Sequence, residues 1–168
     1  MVIPTEQECM ELMAEVSLAP AIVRHSIAVK KVALEFADRL ERNGVEVDRR
    51  LISAAALLHD IMKLDAEFCH GIEGGEFLRG KGFHEVASVV EKHCLSNVSE
   101  PNLAPSTVED KLLVYADLRV NHGKMVSLDE RFEYLRERYG LSPERFQHWF
   151  DVAKGIERDL FSDRSEEK

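Results

Sequence analysis

Hydrophobic residues recur along most of the chain at intervals of three and four, which is the spacing of one face of an α-helix. The clearest stripe lies in the helix predicted from Pro20 to about Asn43 and consists of Ile22, His25, Val29, Val32 and Phe36. No segment of the sequence shows the alternation of apolar and polar residues that marks a half-buried strand. The pattern therefore predicts an all-α fold, a helical bundle of about seven to eight helices.

Capping residues place the ends of several of these helices. Thr5 and Glu8 form a capping box that starts a first helix running to about Ser17. Asp48 stands where it can cap the third helix. We interpret residues 1–168 as a single domain, with a core at about 20–123, further helices at about 127–161 and a frayed tail at 162–168.

Composition and charge restrict the class of partner. The net charge of −9 disfavours a general electrostatic contact with a nucleic acid polymer, so we expect a small-molecule partner. The three cysteines (Cys9, Cys69 and Cys94) are too few for a disulfide framework and favour a reducing compartment. No apolar run approaches the roughly 20 residues of a membrane span, and the start does not resemble a secretion signal. We therefore expect a cytoplasmic protein, with monomer and homodimer both open.

The stretch "LISAAALLHDIMKLD" poses a chemical problem, because an apolar run ends in His59, Asp60 and Lys63. A buried aspartate without a partner costs several kcal/mol, so a salt bridge, a cap or a metal ion must compensate it. The same problem recurs at Asp117, which occupies an apolar stripe of the sixth predicted helix.

Histidines lie on similar stripes elsewhere in the chain. Taken singly, each is more often a core histidine bonded to a carbonyl group. Taken together, they offer the neutral and anionic donors that suit one or two divalent cations, because a bundle brings inward-facing residues to one place. The candidate ligands are His25, His59, Asp60, His70, His93 and Asp117.

The order of these residues resembles the HD superfamily of metal-dependent phosphohydrolases. "LLHDIMK" is similar to the signature of its HDIG subgroup, with Met62 where glycine is usual, and the likeness runs from "RHSIAV" to "YADLRVN". The resemblance implies a helical bundle whose metal-binding core is the segment at about 20–123. Two further segments, "HGIEGGEFL" with His70 and "VVEKH" with His93, resemble those that bind a second metal in HDIG-type proteins.

The resemblance therefore implies a dinuclear centre in which Asp60 bridges two divalent transition metals. Fe or Mn is expected, with Zn, Ni, Co or Mg as alternatives. Some relatives carry a His-His pair where this chain has His93-Cys94. Cys94 is thus a soft ligand, a neighbour of the site or a core residue, and the frequency of buried cysteines favours the core.

The implied activity is hydrolysis of a small, nucleotide-like phosphomonoester or phosphodiester by a metal-activated water. No GxSxG or Walker motif points to another chemistry. Asp60 and Lys63 are the catalytic candidates, because Lys63 could contact the phosphate or protonate the leaving oxygen. The candidate substrate-binding residues are Arg24, Lys63, Arg119 and Asn121.

Three other functions compete with this one. HD-type di-iron oxygenases use the same set of four histidines and two aspartates, so ligand identity does not separate them from hydrolases. A non-catalytic HD module that binds a nucleotide is a second alternative. A structural zinc site at Cys69-His70 and His93-Cys94 is a third, but the spacing is not that of a zinc finger or ribbon. The sequence leaves open whether the substrate is a nucleotide, cyclic dinucleotide, sugar phosphate or phosphonate.

Overall fold

The computed structural model describes residues 2–63 and 70–162. The elements in chain order are α1 (Glu6–Glu15), α2 (Pro20–Arg42), α3 (Arg49–Leu58), α4 (Gly71–Gly80), α5 (His84–Val90), a 3₁₀ turn (Leu95–Asn97), α6 (Val108–Asp117), β1 (Val120–Asn121), β2 (Lys124–Met125), α7 (Leu128–Tyr139) and α8 (Pro143–Phe161). The all-α prediction is confirmed. Within the described ranges, no helix is long and apolar enough to cross a membrane. The predicted frayed tail lies outside the described residues, apart from Ser162.

The helix ends follow the capping residues closely. Thr5 and Glu8 form the capping box of α1, and Asp48 accepts hydrogen bonds from the first backbone N–H groups of α3. α1 ends at Glu15, two residues before the predicted end, because Ser17 adopts a left-handed backbone with φ of 51°. These local signals therefore define most of the helix boundaries.

The antiparallel pair of two-residue strands is a departure from the sequence prediction. The strands are joined by His122 and Gly123, whose φ values of 47° and 76° are those of a tight hairpin turn. Strands of two residues are too short to produce a detectable alternation of apolar and polar positions.

α3 is the central helix of the bundle. It packs against α1, α2, α5 and α6, and its residues from Ala54 to Leu58 are all buried. Alanines at positions 54–56 allow the surrounding helices to approach closely, because each adds only a methyl group to the interface. α8 packs on the outside against α6 and α7. The carboxyl end of α3, which carries His59 and Asp60, is consequently held inside the bundle.

α4 and α5 approach each other through three glycines of α4. A Cβ atom at Gly71 would lie 3.1 Å from the carbonyl oxygens of Val90 and Glu91, and one at Gly74 would lie 3.2 Å from Val90 Cγ1. A Cβ atom at Gly75 would lie 3.0 Å from the Glu91 carboxylate. Side chains at these positions would push the helices apart, so the glycines fix the short distance between the start of α4 and the end of α5.

Candidate metal centre

Six predicted ligands converge at one end of the bundle, and three of them lie at helix ends. His59 is the C-cap of α3, His70 is the N-cap of α4, and Asp117 is the last residue of α6. Asp60 follows His59 directly, His25 projects from α2, and His93 lies in the turn after α5. The structure therefore brings together the candidate ligands from five helices of the described chain.

One half of the cluster is formed by His25, His59 and Asp117. The Nε2 atom of His25 lies 2.8 Å from Asp117 Oδ1, and that of His59 lies 3.7 Å from the same oxygen. His59 Nδ1 donates a hydrogen bond to the carbonyl oxygen of Ala56 at 2.8 Å, which leaves the lone pair of its Nε2 facing the cluster. This buried Nε2 has no hydrogen-bond partner among the described residues.

An acceptor nitrogen that is buried without a donor is unfavourable in a metal-free protein and is the arrangement that a metal ligand requires. His93 is oriented in the same way as His59, because its Nδ1 donates a hydrogen bond to the Val90 carbonyl oxygen at 2.6 Å. The residues present therefore fit the divalent metal that the ligand set implies.

The second half of the cluster centres on Asp60. Its Oδ1 atom lies 2.5 Å from His70 Nε2 and 3.8 Å from His93 Nε2, and also 3.5 Å from His59 Nε2 in the first half. Asp60 thus stands between the two groups of histidines, where a bridging carboxylate would lie. The Nε2 atoms of His70 and His93 are 3.2 Å apart, and Cys94 Sγ lies 3.7 Å from His93 Nε2.

The electrostatic environment keeps both carboxylates ionised. Burial by itself would raise the pKa of Asp60, but its interactions with His59, His70 and Lys63 hold this pKa well below its ordinary value. The pKa of Asp117 is likewise held well below its ordinary value, because the contacts with His25 and His59 outweigh burial. Both groups are therefore anionic donors at neutral pH.

Cys94 and His93 form a second interacting pair. Burial disfavours a charge on either group, yet each stabilises the ionised form of the other. The pKa of the Cys94 thiol is consequently lowered, and the pKa of His93 is raised. Cys94 is buried, as the favoured core role requires, but its sulfur faces the imidazoles and is not part of the hydrophobic core cluster.

Two adjoining cavities connect this cluster with the surface. The inner cavity has a volume of about 80 Å³ and is lined by residues that include Asp60, His93 and Asp117. The outer cavity, of about 610 Å³, is lined by His25, Asp60 and residues of α7 and of the β1–β2 hairpin. Asp60, Lys63, Arg131 and Tyr139 line both, so the two cavities form a single cleft.

Three of the four residues predicted to bind substrate lie on the outer cavity, namely Arg24, Lys63 and Asn121. Arg119 lies elsewhere. Its Nε donates to the Val126 carbonyl oxygen at 2.6 Å, and its guanidinium stacks 5.4 Å from the centre of the Phe36 ring. Arg119 therefore ties α6 to the segment before α7 and lines neither of these two cavities.

Sequence reasoning missed the contribution of α7 to the cleft. Arg131, Tyr134 and Arg138 line the outer cavity from one face of this helix, at spacings of three and four residues. That spacing is the available signal, because two arginines and a tyrosine repeat on one face of the helix, beside the apolar stripe. His122 also lines this cavity.

Comparison with known proteins agrees with this geometry. The model of the HD domain family matches residues 22–121, a range that includes all six candidate ligands. The chain belongs to the HD-domain family. An uncharacterized protein of Methanocaldococcus jannaschii is 30% identical to this chain over 131 residues, covering 71% of this chain and 78% of the relative.

Two relatives with functional names are matched over part of their length. The tRNA (cytidine(56)-2′-O)-methyltransferase of Picrophilus torridus is 29% identical over 140 residues, and the chain spans 40% of it. The dihydroneopterin 2′,3′-cyclic phosphate phosphodiesterase of Methanocaldococcus jannaschii is 58% identical over 43 residues, which are 25% of this chain and 17% of the relative. No solved structure gives a significant match.

Proposed function

We propose that this HD domain is a metal-dependent phosphohydrolase that acts on a small phosphomonoester or phosphodiester at a dinuclear centre. The observation that carries the proposal is the cluster of four imidazoles and two ionised carboxylates, with a buried and unpaired His59 Nε2, at the base of an open cleft. Such a donor set suits divalent transition metals.

The ligands divide between two ions. His25, His59 and Asp117 would hold one, His70 and His93 would hold the other, and Asp60 would contact both. Bound divalent cations supply a water of lowered pKa and positive charge for the phosphoryl oxygens. The protein orients the donors for this purpose, because the carbonyl groups of Ala56 and Val90 fix the Nε2 lone pairs of His59 and His93 toward the cluster.

Lys63 is the nearest candidate for proton donation to the leaving group. Its Nζ lies 3.0 Å from Asp60 Oδ2, and its side chain is 27% exposed, so it can also face a substrate in the cleft. Burial lowers the pKa of Lys63, but the carboxylate of Asp60 raises it above its ordinary value. Lys63 is therefore protonated at neutral pH and can donate a proton or a hydrogen bond, but it cannot act as a base.

Arg131 is the residue best placed to bind a substrate phosphate away from the metals. It lines both cavities, and its buried Nε has no hydrogen-bond partner among the described residues. Its Nη1 donates a long hydrogen bond, of 3.4 Å, to Asn121 Oδ1. A planar guanidinium with free donors matches the oxygens of a phosphate group.

The charge of the outer cavity also supports an anionic substrate. Arg24, Arg131 and Arg138 line it, and none of them forms an ion pair with a carboxylate of the described residues. Unpaired arginines in a chain with a net charge of −9 create a local positive field that attracts small anions. A volume of about 610 Å³ is in the range of cavities that bind nucleotide-sized ligands.

A cyclic phosphodiester is a sensible first substrate, because one relative is named as a 2′,3′-cyclic phosphate phosphodiesterase. The acidic surface gives no comparable support for tRNA as substrate, although one relative is named as a tRNA methyltransferase. The proposal therefore concerns a small phosphate ester.

The test is a substrate panel with protein purified under reducing conditions and loaded with Fe(II) or Mn(II). The panel contains p-nitrophenyl phosphate, bis-p-nitrophenyl phosphate and nucleoside 2′,3′-cyclic phosphates. We expect hydrolysis that a chelator abolishes, that needs no dioxygen and that is lost in Asp60→Ala. A requirement for dioxygen would assign the site to the oxygenase class instead, and no hydrolysis of any substrate would contradict the proposal.

Metal content tests the dinuclear centre separately. Elemental analysis of the metal-loaded protein should give close to two ions per chain. His70→Ala should lose one ion and keep the other, because His25, His59 and Asp117 remain intact. A wild-type value of one or none after metal-replete expression would contradict the dinuclear centre, whatever the activity.

A further inference from the structure

We infer that Cys94 is a thiolate ligand of the metal ion held by His70 and His93, so that the centre has one sulfur-containing and one sulfur-free site. The inference rests on the proposed metal centre and adds a ligand that sequence reasoning placed in the core. Three observations carry it: the separation of the donor atoms, the surroundings of the sulfur, and the contrast with the other described cysteine.

Two of the three donor pairs have the separation of ligands around one ion, and ligand atoms of all three residues lie within 4.8 Å of one another. His70 Nε2 and His93 Nε2 are 3.2 Å apart, and Cys94 Sγ lies 3.7 Å from His93 Nε2. In a tetrahedral site with bonds of about 2.05 Å to nitrogen and about 2.3 Å to sulfur, adjacent donors are about 3.3 Å apart for two nitrogens and about 3.6 Å for nitrogen and sulfur. The observed distances are within about 0.1 Å of these values.

The neighbouring backbone leaves room for the sulfur. The residue after the His70 ligand is Gly71, and a Cβ atom at that position would lie 3.2 Å from Cys94 Sγ. Any larger residue at position 71 would crowd the thiol against the start of α4. Gly71 also lets the start of α4 approach the end of α5. This one glycine therefore helps to bring the Cys94 sulfur close to the imidazoles of His70 and His93.

The other described cysteine shows what a core cysteine looks like in this protein. Cys9 is fully buried and packs within the hydrophobic core. Cys94 is 4% exposed, but it lines the inner cavity with Asp60 and His93 instead of packing among apolar side chains alone. Burial is therefore common to the two cysteines, and contact with imidazole donors is what distinguishes Cys94.

A thiolate here would make the two sites unlike. His25, His59 and Asp117 offer nitrogen and oxygen only, whereas His70, His93 and Cys94 offer nitrogen and sulfur. The thiol proton would pass to solvent when the metal binds. The sulfur-containing site should then favour thiophilic ions such as Fe(II), Co(II) or Zn(II) over Mg(II) and Mn(II).

The test is the absorption spectrum of protein loaded anaerobically with Co(II). A cobalt–thiolate bond produces a near-ultraviolet charge-transfer band, which is separate from the visible d–d bands of any bound cobalt. We expect both features in the wild type and in Cys9→Ser, a matched control in the core. Cys94→Ser should keep d–d bands from the sulfur-free site and lose the charge-transfer band.

Each other outcome has a definite meaning. Wild type with d–d bands but no charge-transfer band would overturn the Cys94 assignment and leave the metal centre standing. Absence of d–d bands would overturn the centre and the assignment together. Cys69, which precedes His70 and lies outside the described residues, needs its own variant: a band lost in Cys69→Ser and kept in Cys94→Ser would overturn the assignment to Cys94.

Discussion

Asp60 and Asp110 are two buried carboxylates with different partners. Comparing the stability of Asp60→Ala and Asp110→Ala, with metal and with chelator, distinguishes the proposed metal ligand, Asp60, from a structural ion pair, that of Asp110. Asp60 is 2% exposed and faces histidines of the proposed centre. Asp110 is 1% exposed and is satisfied without metal, by Lys92 Nζ at 2.9 Å and by the backbone N–H groups of Ser106 and Thr107 at 3.0 Å. The two variants should therefore respond differently to a chelator.

The expected magnitudes follow from these contacts. In chelator, Asp60→Ala loses charged hydrogen bonds with His70 and Lys63, each worth about 1.5 to 3 kcal/mol. This loss of stability is partly offset, because the variant no longer buries the charge of a carboxylate. In metal at a thousand times its dissociation constant, wild type gains about 4 kcal/mol from each site that it fills. The free energy of unfolding of wild type should therefore exceed that of Asp60→Ala by about 4 kcal/mol or more in metal than it does in chelator.

Asp110→Ala should show no such growth. The substitution leaves Lys92, whose side chain is only 14% exposed, without its carboxylate. Breaking a buried pair in this way costs on the order of 3 to 5 kcal/mol, and this cost is the same with metal and with chelator because Asp110 makes no contact with the proposed ligands.

The assay is thermal unfolding of wild type and both variants, each with metal and with chelator. For a chain of this length, about 4 kcal/mol from one filled site corresponds to a shift in Tm of about 8 to 16 °C, and two filled sites to about twice that shift. We expect chelator to lower the Tm of wild type and of Asp110→Ala by such an amount, and to leave Asp60→Ala nearly unchanged. An Asp60→Ala protein that is destabilised equally in both conditions, while it still binds two metals, would refute the reasoning.

Three further predictions concern single positions. Gly71→Ala should lower the free energy of unfolding, measured by urea denaturation, by about 1 to 3 kcal/mol, and it should weaken metal binding. Its control is Gly80→Ala, where the new Cβ atom meets open space: this variant should leave the free energy of unfolding unchanged or raise it by up to about 1 kcal/mol. Arg131→Ala should raise KM for a cyclic phosphodiester at least tenfold, about 1.4 kcal/mol, and Arg136→Ala, a surface control paired with Glu133, should not. Burial raises the pKa of Asp110, but hydrogen bonds from Thr107 and Lys92 lower it below its ordinary value. The ionised carboxylate therefore contributes to the free energy of unfolding above about pH 4, and this contribution is lost as the pH falls through the lowered pKa. In chelator, the difference in free energy of unfolding between wild type and Asp110→Asn should become smaller over the same pH range.

Much of the fold was predictable because helix formation leaves local signals. Apolar spacing of three and four identified the helices, and residues such as Thr5 and Asp48 marked their starts. The ligand set was visible for a related reason: a histidine or aspartate at the end of an apolar stripe is costly to bury without a partner. His25, at a helical position between Ile22 and Val29, shows this clearly.

The parts that were missed depend on how distant elements pack. Arg131 and Arg138 look like ordinary charged residues of an exposed helix face until α7 is placed beside the cleft. Arg119, chosen because it stands close to Asp117 in sequence, turns away to bond with Val126. The direction of a side chain at a helix end depends on local turns, and the periodic pattern does not specify it.

The glycines of α4 connect the fold with the site. Each glycine inside a helix costs up to about 1 kcal/mol relative to alanine, so three glycines within five residues are unfavourable for the helix alone. Their benefit lies in the interface, where Gly71, Gly74 and Gly75 let α4 contact the backbone and side chains at the end of α5. Without that approach, His70 Nε2 could not lie 3.2 Å from His93 Nε2, a separation that suits two ligands of one ion. The weak helix is therefore a condition of the proposed metal centre, and we expect a protein whose α4 carries alanines at these positions to bind metal less tightly.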